Sequence, residues 1–172
     1  MKISASRWVL GAGALLVTGC AALSGGGSLD GSVQRNVGVA SHYDLAEKAS
    51  RVIQLNQFEV EREEYDGIFY IETRWRDRAP FDDEQANGVE AAQSRMIVRG
   101  SPRAPDPDGQ LYNVTVIVQN RVSVVGESGW RRDLTTSRFN EYARQITEDL
   151  RDELEIGVRR FGPDGGPPPG GN

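Results

Sequence analysis

The fold of this chain is decided by one stretch of sequence, Tyr112-Asn113-Val114-Thr115-Val116-Ile117-Val118-Gln119-Asn120-Arg121-Val122-Ser123-Val124. Valine or tyrosine occupies nearly every second position, and mostly polar side chains occupy the positions between them. Such alternation predicts a β-strand with one buried and one solvated face. Antiparallel sheets commonly have one face on the core and one in water, so this strand predicts an antiparallel sheet.

Three further strands are expected before this one. Phe58 and Val60 alternate with glutamates, and Asp66-Gly67 is a pair typical of two-residue hairpin turns. The second strand follows this turn and places four side chains on one face, namely Phe69, Ile71, Thr73 and Trp75. A third strand is predicted from about Ala91 to Arg99, with Arg76 to Gly88 as a charged loop before it.

Apolar residues at three- and four-residue spacing predict one helix on each side of the four strands. Ser41 is a good N-cap for the first helix, Asp44 can complete a capping box, and Asn56 can end it. The second helix is expected from about Ser137 to Arg160. The predicted fold is therefore α+β, in the order α-β-β-β-β-α, with two helices packed on one face of a four-stranded antiparallel sheet.

The only cysteine, Cys20, ends a segment with the features of an export signal. Lys2 and Arg7 precede an apolar run over 8–17, which is too short to span a bilayer because that needs about 20 residues. Together with Gly19, the segment resembles the bacterial lipoprotein signal and its lipobox. The resemblance implies cleavage after Gly19, a diacylglycerol on the Cys20 sulfur and an acyl chain on its amine. Ala21, where Asp would favour retention in the inner membrane, implies a periplasm-facing outer-membrane anchor.

Four regions follow from these features: a signal peptide at 1–19, a lipidated cysteine and flexible tether at 20–40, an α+β domain at 41–161, and a disordered Gly/Pro tail at 162–172. The net charge is −5, and removing Lys2 and Arg7 with the signal would take it to −7. An acidic protein is not expected to bind nucleic acid, whose affinity comes mainly from neutralised phosphates. The same balance argues against electrostatic docking on anionic lipids.

Side chains suited to catalysis or to metal binding are few. His42 is the only histidine and lies in the first helical turn, and zinc sites need several His or Cys ligands. The acidic loop residues at 82–84 and 106–108 lack the spacing of a calcium loop. We therefore expect no catalytic residue, no metal site and no cofactor besides the lipid on Cys20, and we predict that the protein is not an enzyme.

Three aromatic residues are candidates for contact with a partner protein. Trp75 lies near a strand end and Trp130 lies in a glycine-containing loop, and tryptophan is over-represented at binding hot spots. Phe81 is an apolar residue in the charged loop that precedes the third strand. For each of the three, packing within the fold is the alternative interpretation.

The domain also resembles the helix-grip domain of the BamC (NlpB) lipoproteins. The resemblance lies in a helix at 43–49, a strand at 56–60, and a hairpin with an aromatic-rich strand at 65–71. It implies a helix-grip-like fold and an envelope role. The predicted function is an accessory or scaffold protein that binds another envelope protein from the periplasmic face of the outer membrane. The alternative is a carrier or sensor of a small apolar ligand between helix and sheet, which needs a cavity of about 300 Å³ or more.

Overall fold

The computed structural model describes residues 31–103 and 111–160, with the backbone alone for 156–160. Cys20, the signal peptide at 1–19 and the tail at 162–172 lie outside the described residues. The elements, in chain order, are β1 (Ser32–Ser41), α1 (His42–Leu55), β2 (Val60–Glu64), β3 (Phe69–Thr73), β4 (Arg76–Arg78), α2 (Asp82–Gln85), β5 (Val89–Pro102), β6 (Leu111–Val124) and α3 (Ser137–Arg160).

The strands form a six-stranded antiparallel sheet in the order β1-β6-β5-β3-β2, with β4 paired to β5 beside β3. The predicted four-stranded sheet with two helices is therefore wrong, because the described residues contain six strands and three helices. The long strands β5 and β6 pair from Val89/Val124 to Pro102/Tyr112 and form the centre of the sheet.

Strand β1 lies almost entirely within the segment that was predicted to be a flexible tether. It pairs with β6 along its whole length, from Ser32/Gln119 to Ser41/Leu111. A β-bulge between Asn36 and Gly38 shifts its register, so the buried residues Val37 and Ala40 are three positions apart instead of two. The alternation that marks a half-buried strand is therefore lost from the sequence.

The predicted loop from Arg76 to Gly88 contains two short elements. Strand β4 has three charged residues, and α2 is a helix of four residues that begins after Phe81. Neither is long enough to show a hydrophobic period. They fold because β4 adds to the edge of β5 and because the Glu84 carboxylate accepts a hydrogen bond from the backbone N–H of Phe81, at 2.9 Å.

The main core lies between one face of the sheet, here called the helix face, and helices α1 and α3. Ser41 caps α1 as expected, accepting a hydrogen bond from the Asp44 N–H at 3.1 Å. Leu45 and Ile53 of α1 and Phe139 and Leu150 of α3 are at most 1% exposed. They meet the buried sheet residues Phe69, Ile71, Met96, Val98, Val114, Val116 and Val118. The opposite side of the sheet, here called the open face, carries no helix in the described part of the chain.

Candidate functional site

Two tryptophans and three arginines gather at one end of the open face. The guanidinium carbons of Arg95 and Arg121 lie 4.7 and 4.3 Å from the centre of the Trp75 ring, and that of Arg132 lies 5.6 Å from it. Arg121 is also 4.9 Å from the Trp130 ring, so one guanidinium joins both indoles. These distances are within the range of cation–π attraction. We call the five side chains the Arg–Trp platform.

A phase change in the chain brings Trp75 to this face. The core-facing residue Thr73 ends β3, and Arg76 pairs with the core-facing Ser94. Regular alternation from Thr73 would turn Trp75 towards the core and Arg76 away from it. Because Arg76 faces the core instead, the alternation breaks at Arg74 and Trp75, and Trp75 faces the open side. The expectation that Trp75 shares the face of Phe69 and Ile71 is wrong for this reason. Trp130 is positioned by its neighbour Arg131, which forms an isolated β-bridge with Val122 and so holds this segment beside β6.

The platform holds more positive than negative charge. Arg95 forms an ion pair with Glu72 and a hydrogen bond to Gln119, while Arg121 donates to the neutral Gln93. In the described part of the chain, no carboxylate forms an ion pair with Arg121 or Arg132. Partial burial is the main cause of a lowered pKa of Arg121, and repulsion from Arg132 and Arg95 adds to it, while the nearby carboxylate of Asp77 opposes it. The platform would therefore gain from an anion placed over it.

A second candidate surface is a groove on the helix side of the molecule. It has a volume of about 700 Å³ and lies between α3 and the segment that leads into α2. Its apolar lining includes Pro80, Phe81 and Tyr142. The centres of the Phe81 and Tyr142 rings are 5.8 Å apart. Its rim carries the surface ion pairs Arg138–Glu141 and Arg144–Glu148. We call it the α2–α3 groove.

A buried polar network holds one wall of this groove in place. Glu84 is fully buried and forms a bidentate ion pair with Arg78, which also donates hydrogen bonds to the Asn120 side chain at 2.8 Å and to the Ala79 carbonyl at 3.0 Å. Asn120 in turn donates to Glu84 at 3.0 Å and to the Leu134 carbonyl at 3.1 Å. Arg78 also lies 4.1 Å from the centre of the Phe81 ring. The network therefore ties β4, α2 and β6 together and fixes the Phe81 side chain.

The space between the helices and the sheet is filled by side chains. Phe69, Phe139 and Met96 are each 0% exposed there. Both of the cavities described here lie outside this layer, one in the groove and one on the open face at Gln34, Arg99 and Thr115. The packing therefore gives no support to the alternative of an apolar ligand held between helix and sheet.

The predicted partner-binding residues fall into two places. The structure brings Trp75 and Trp130 together on the platform, whereas Phe81 is half-buried, packs against the core and lines the groove. The sequence analysis missed Arg95, Arg121 and Arg132. The first two occupy polar-face positions of strands, and Arg132 lies two residues after Trp130. Only the pairing of distant strands shows that they meet.

Within 31–103 and 111–160, no group of three or more His, Cys, Asp or Glu side chains is placed to hold a metal ion. Within the same ranges, no helix has both the length and the apolar content needed to cross a membrane.

Comparison with known proteins gives little further information. No family model matches the chain, and no curated protein matches it. Among solved structures, the chain is similar to the ZhuI aromatase/cyclase from Streptomyces sp. R1128. The identity is 21% and the TM-score 0.30, over 78% of this chain and 98% of that one.

This neighbour is an enzyme, and it contradicts the prediction that the chain is not one. We do not retain that prediction. At a TM-score of 0.30 the likeness carries no argument about a reaction or a substrate.

Proposed function

We propose that the protein is an outer-membrane lipoprotein, anchored through Cys20 and facing the periplasm. Its domain acts as an accessory or scaffold by binding a segment of another envelope protein in the α2–α3 groove. The anchor is supported by the lipoprotein-like signal that ends at Cys20. The binding role is supported by one structural observation, which is an aromatic surface in a groove whose rim is otherwise charged.

The chemistry of the groove favours a protein segment over a small apolar molecule. Phe81 and Tyr142 offer ring surface to one apolar side chain, while the rim presents guanidinium and carboxylate groups of both signs. Both rim ion pairs are exposed, so they exchange readily with charges on an incoming chain. A segment with one aromatic or aliphatic anchor and mixed charges on either side fits this arrangement.

The test is site-specific crosslinking in the native envelope. A photoreactive residue at Gln145, which is exposed and lines the groove, is expected to capture one defined envelope protein. The matched control is the same residue at Asn140, which is exposed on the same helix and does not line the groove. Capture from Gln145 should fall in Phe81→Ala protein that remains folded. Equal capture from both positions, or none from Gln145, would refute the groove as the binding site.

The anchor is tested separately by metabolic labelling with palmitate. Wild-type protein is expected to take up the label, and Cys20→Ser protein is expected to remain unlabelled and unprocessed, or to be released from the membrane. An unlabelled wild-type protein would refute the lipoprotein assignment and leave the crosslinking result to be judged on its own.

A further inference from the structure

The described chain enters the domain at the edge of the Arg–Trp platform. The Gly31 carbonyl accepts a hydrogen bond from the Asn120 N–H at 2.7 Å. A Cβ atom on Gly31 would lie 1.6 Å from the carbonyl oxygen of Arg132, so the two backbones are in direct contact. The Arg132 side chain belongs to the platform. Cys20 precedes Gly31 by eleven residues, so the segment that carries the proposed anchor joins the domain beside this surface.

Charge is unevenly distributed over the molecule. Strand β2, at the far edge of the sheet from β1, carries Glu61, Glu63 and Glu64 against a single arginine, Arg62. The platform instead carries three guanidiniums, two of which have no ion-pair partner among the described residues. The negative net charge of the chain therefore does not describe the surface next to the chain entry, and the argument against docking on anionic lipids does not apply there.

Phospholipid headgroups match the chemistry of the platform. Arginine binds phosphate oxygens through its planar fork of N–H donors. Tryptophan favours the interface between water and hydrocarbon because its ring is apolar and its N–H is polar. Arg121 and Arg132 supply the first kind of contact, and the exposed ring of Trp130 supplies the second.

We propose that the Arg–Trp platform lies against the phospholipid headgroups of the membrane that holds Cys20, with its guanidiniums on phosphates and its indoles at the interface. The inference rests on the anchor of the proposed function and does not depend on the groove. It orients the open face towards the bilayer and leaves the α2–α3 groove, on the helix side, facing away from it.

The fluorescence of the mature protein offers a direct test. Trp8 is removed with the signal, so Trp75 and Trp130 are the only tryptophans left, and both belong to the platform. Full-length lipidated protein would be placed in vesicles of phosphatidylglycerol and phosphatidylcholine whose acyl chains carry bromine close to the headgroups. Bromine quenches nearby indoles, and we expect strong quenching of the wild-type protein.

Arg132→Glu is the informative variant, since it removes one of the like charges around Arg121 and is not expected to lower stability. At roughly fivefold in affinity per basic residue, reversing this charge should weaken docking on the order of tenfold and remove most of the quenching. The control Arg35→Glu makes the same charge change. Arg35 is exposed and follows Gln34, which faces the open side, so it lies on the helix side.

Flotation of the vesicles separates the possible outcomes. Protein that floats and is quenched in wild type and Arg35→Glu, but not in Arg132→Glu, supports the inference. Protein that floats without quenching, or equal quenching in both variants, overturns it and leaves a protein partner as the ligand of the platform. Wild-type protein that does not float refutes the anchor and with it the membrane contact of the platform, and leaves the α2–α3 groove to be judged by crosslinking alone.

Discussion

Glu84 carries a carboxylate that is buried inside the fold and held by hydrogen bonds. Its side chain is 0% exposed, and its carboxylate accepts hydrogen bonds from Arg78, Asn120 and the Phe81 backbone. Arg78 is nearly as well buried, with 7% of its side chain exposed. Removing one partner of such a pair leaves the other charge buried without compensation.

Glu84→Gln is therefore expected to lower the free energy of unfolding by about 3–5 kcal/mol, as measured in urea. The control Glu148→Gln breaks an exposed ion pair with Arg144 and should cost less than about 1 kcal/mol. Equal effects of the two substitutions would show that the Arg78–Glu84 pair does not support the fold.

Asp83, the neighbour of Glu84, caps the N-terminus of helix α3, from which it is far away in the sequence. Its carboxylate accepts a hydrogen bond at 2.9 Å from the backbone N–H of Arg138, in the first turn of α3. Burial opposes the charge of Asp83, but hydrogen bonds from Arg138, Thr136 and the local backbone outweigh it and lower the pKa. A lowered carboxyl pKa stabilises the fold above the ordinary value of 3.8 and stops doing so as the pH falls through the folded value.

Asp83→Asn should thus be less stable than wild type by about 0.3–1 kcal/mol near neutral pH, because it loses a negative charge at a helix N-terminus. The difference should be complete above pH 3.8 and should shrink as the pH is lowered further. Urea unfolding across this range measures it, with Asp152→Asn as the control for charge removal in the middle of α3. A difference that grows on acidification would contradict the assigned role.

At the scale of elements, uninterrupted alternation could be predicted and interrupted alternation could not. Strands β3, β5 and β6 and helices α1 and α3 occur where their periods indicated. Strand β1 has a bulge, and β4 consists of three charged residues, so neither shows a usable period. The candidate surfaces could be predicted only in part, because Trp75 and Trp130 stand out by residue type, whereas the arginines beside them are brought there by strand register.

The start of β1 offers a test at this scale. Gly31 has a φ of +61° and touches the Arg132 backbone, whereas Gly126 has a φ of +82° and open space around it. Gly126→Ala should cost about 1–2 kcal/mol, from the backbone conformation alone. Gly31→Ala should cost about 1–3 kcal/mol more, because the added methyl group forces the two segments apart.

Hydrogen exchange gives this test a local readout. The Asn120 N–H, which donates to the Gly31 carbonyl, should exchange faster in Gly31→Ala than in Gly126→Ala. Unchanged protection of Asn120 in both variants would mean that the entry of the chain is not held at this contact.

For the whole molecule, the sheet separates two surfaces of different chemistry. The open face carries the cationic and aromatic platform beside the chain entry, and the helix side carries the α2–α3 groove with rim charges of both signs. Asn120 belongs to the buried network that holds the groove wall, and its backbone N–H also fixes Gly31 beside the platform. One residue therefore connects the supports of both surfaces.

The early start of β1 also sets an effective concentration. In the proposed lipoprotein, the eleven residue steps from Cys20 to Gly31 can extend at most about 38 Å, at ~3.5 Å per step. A surface confined so close to its target meets it at an effective concentration on the order of millimolar. Contacts too weak to bind a free domain to vesicles would then suffice once the lipid is in place, so membrane docking would need no high intrinsic affinity and would be lost on release from the anchor.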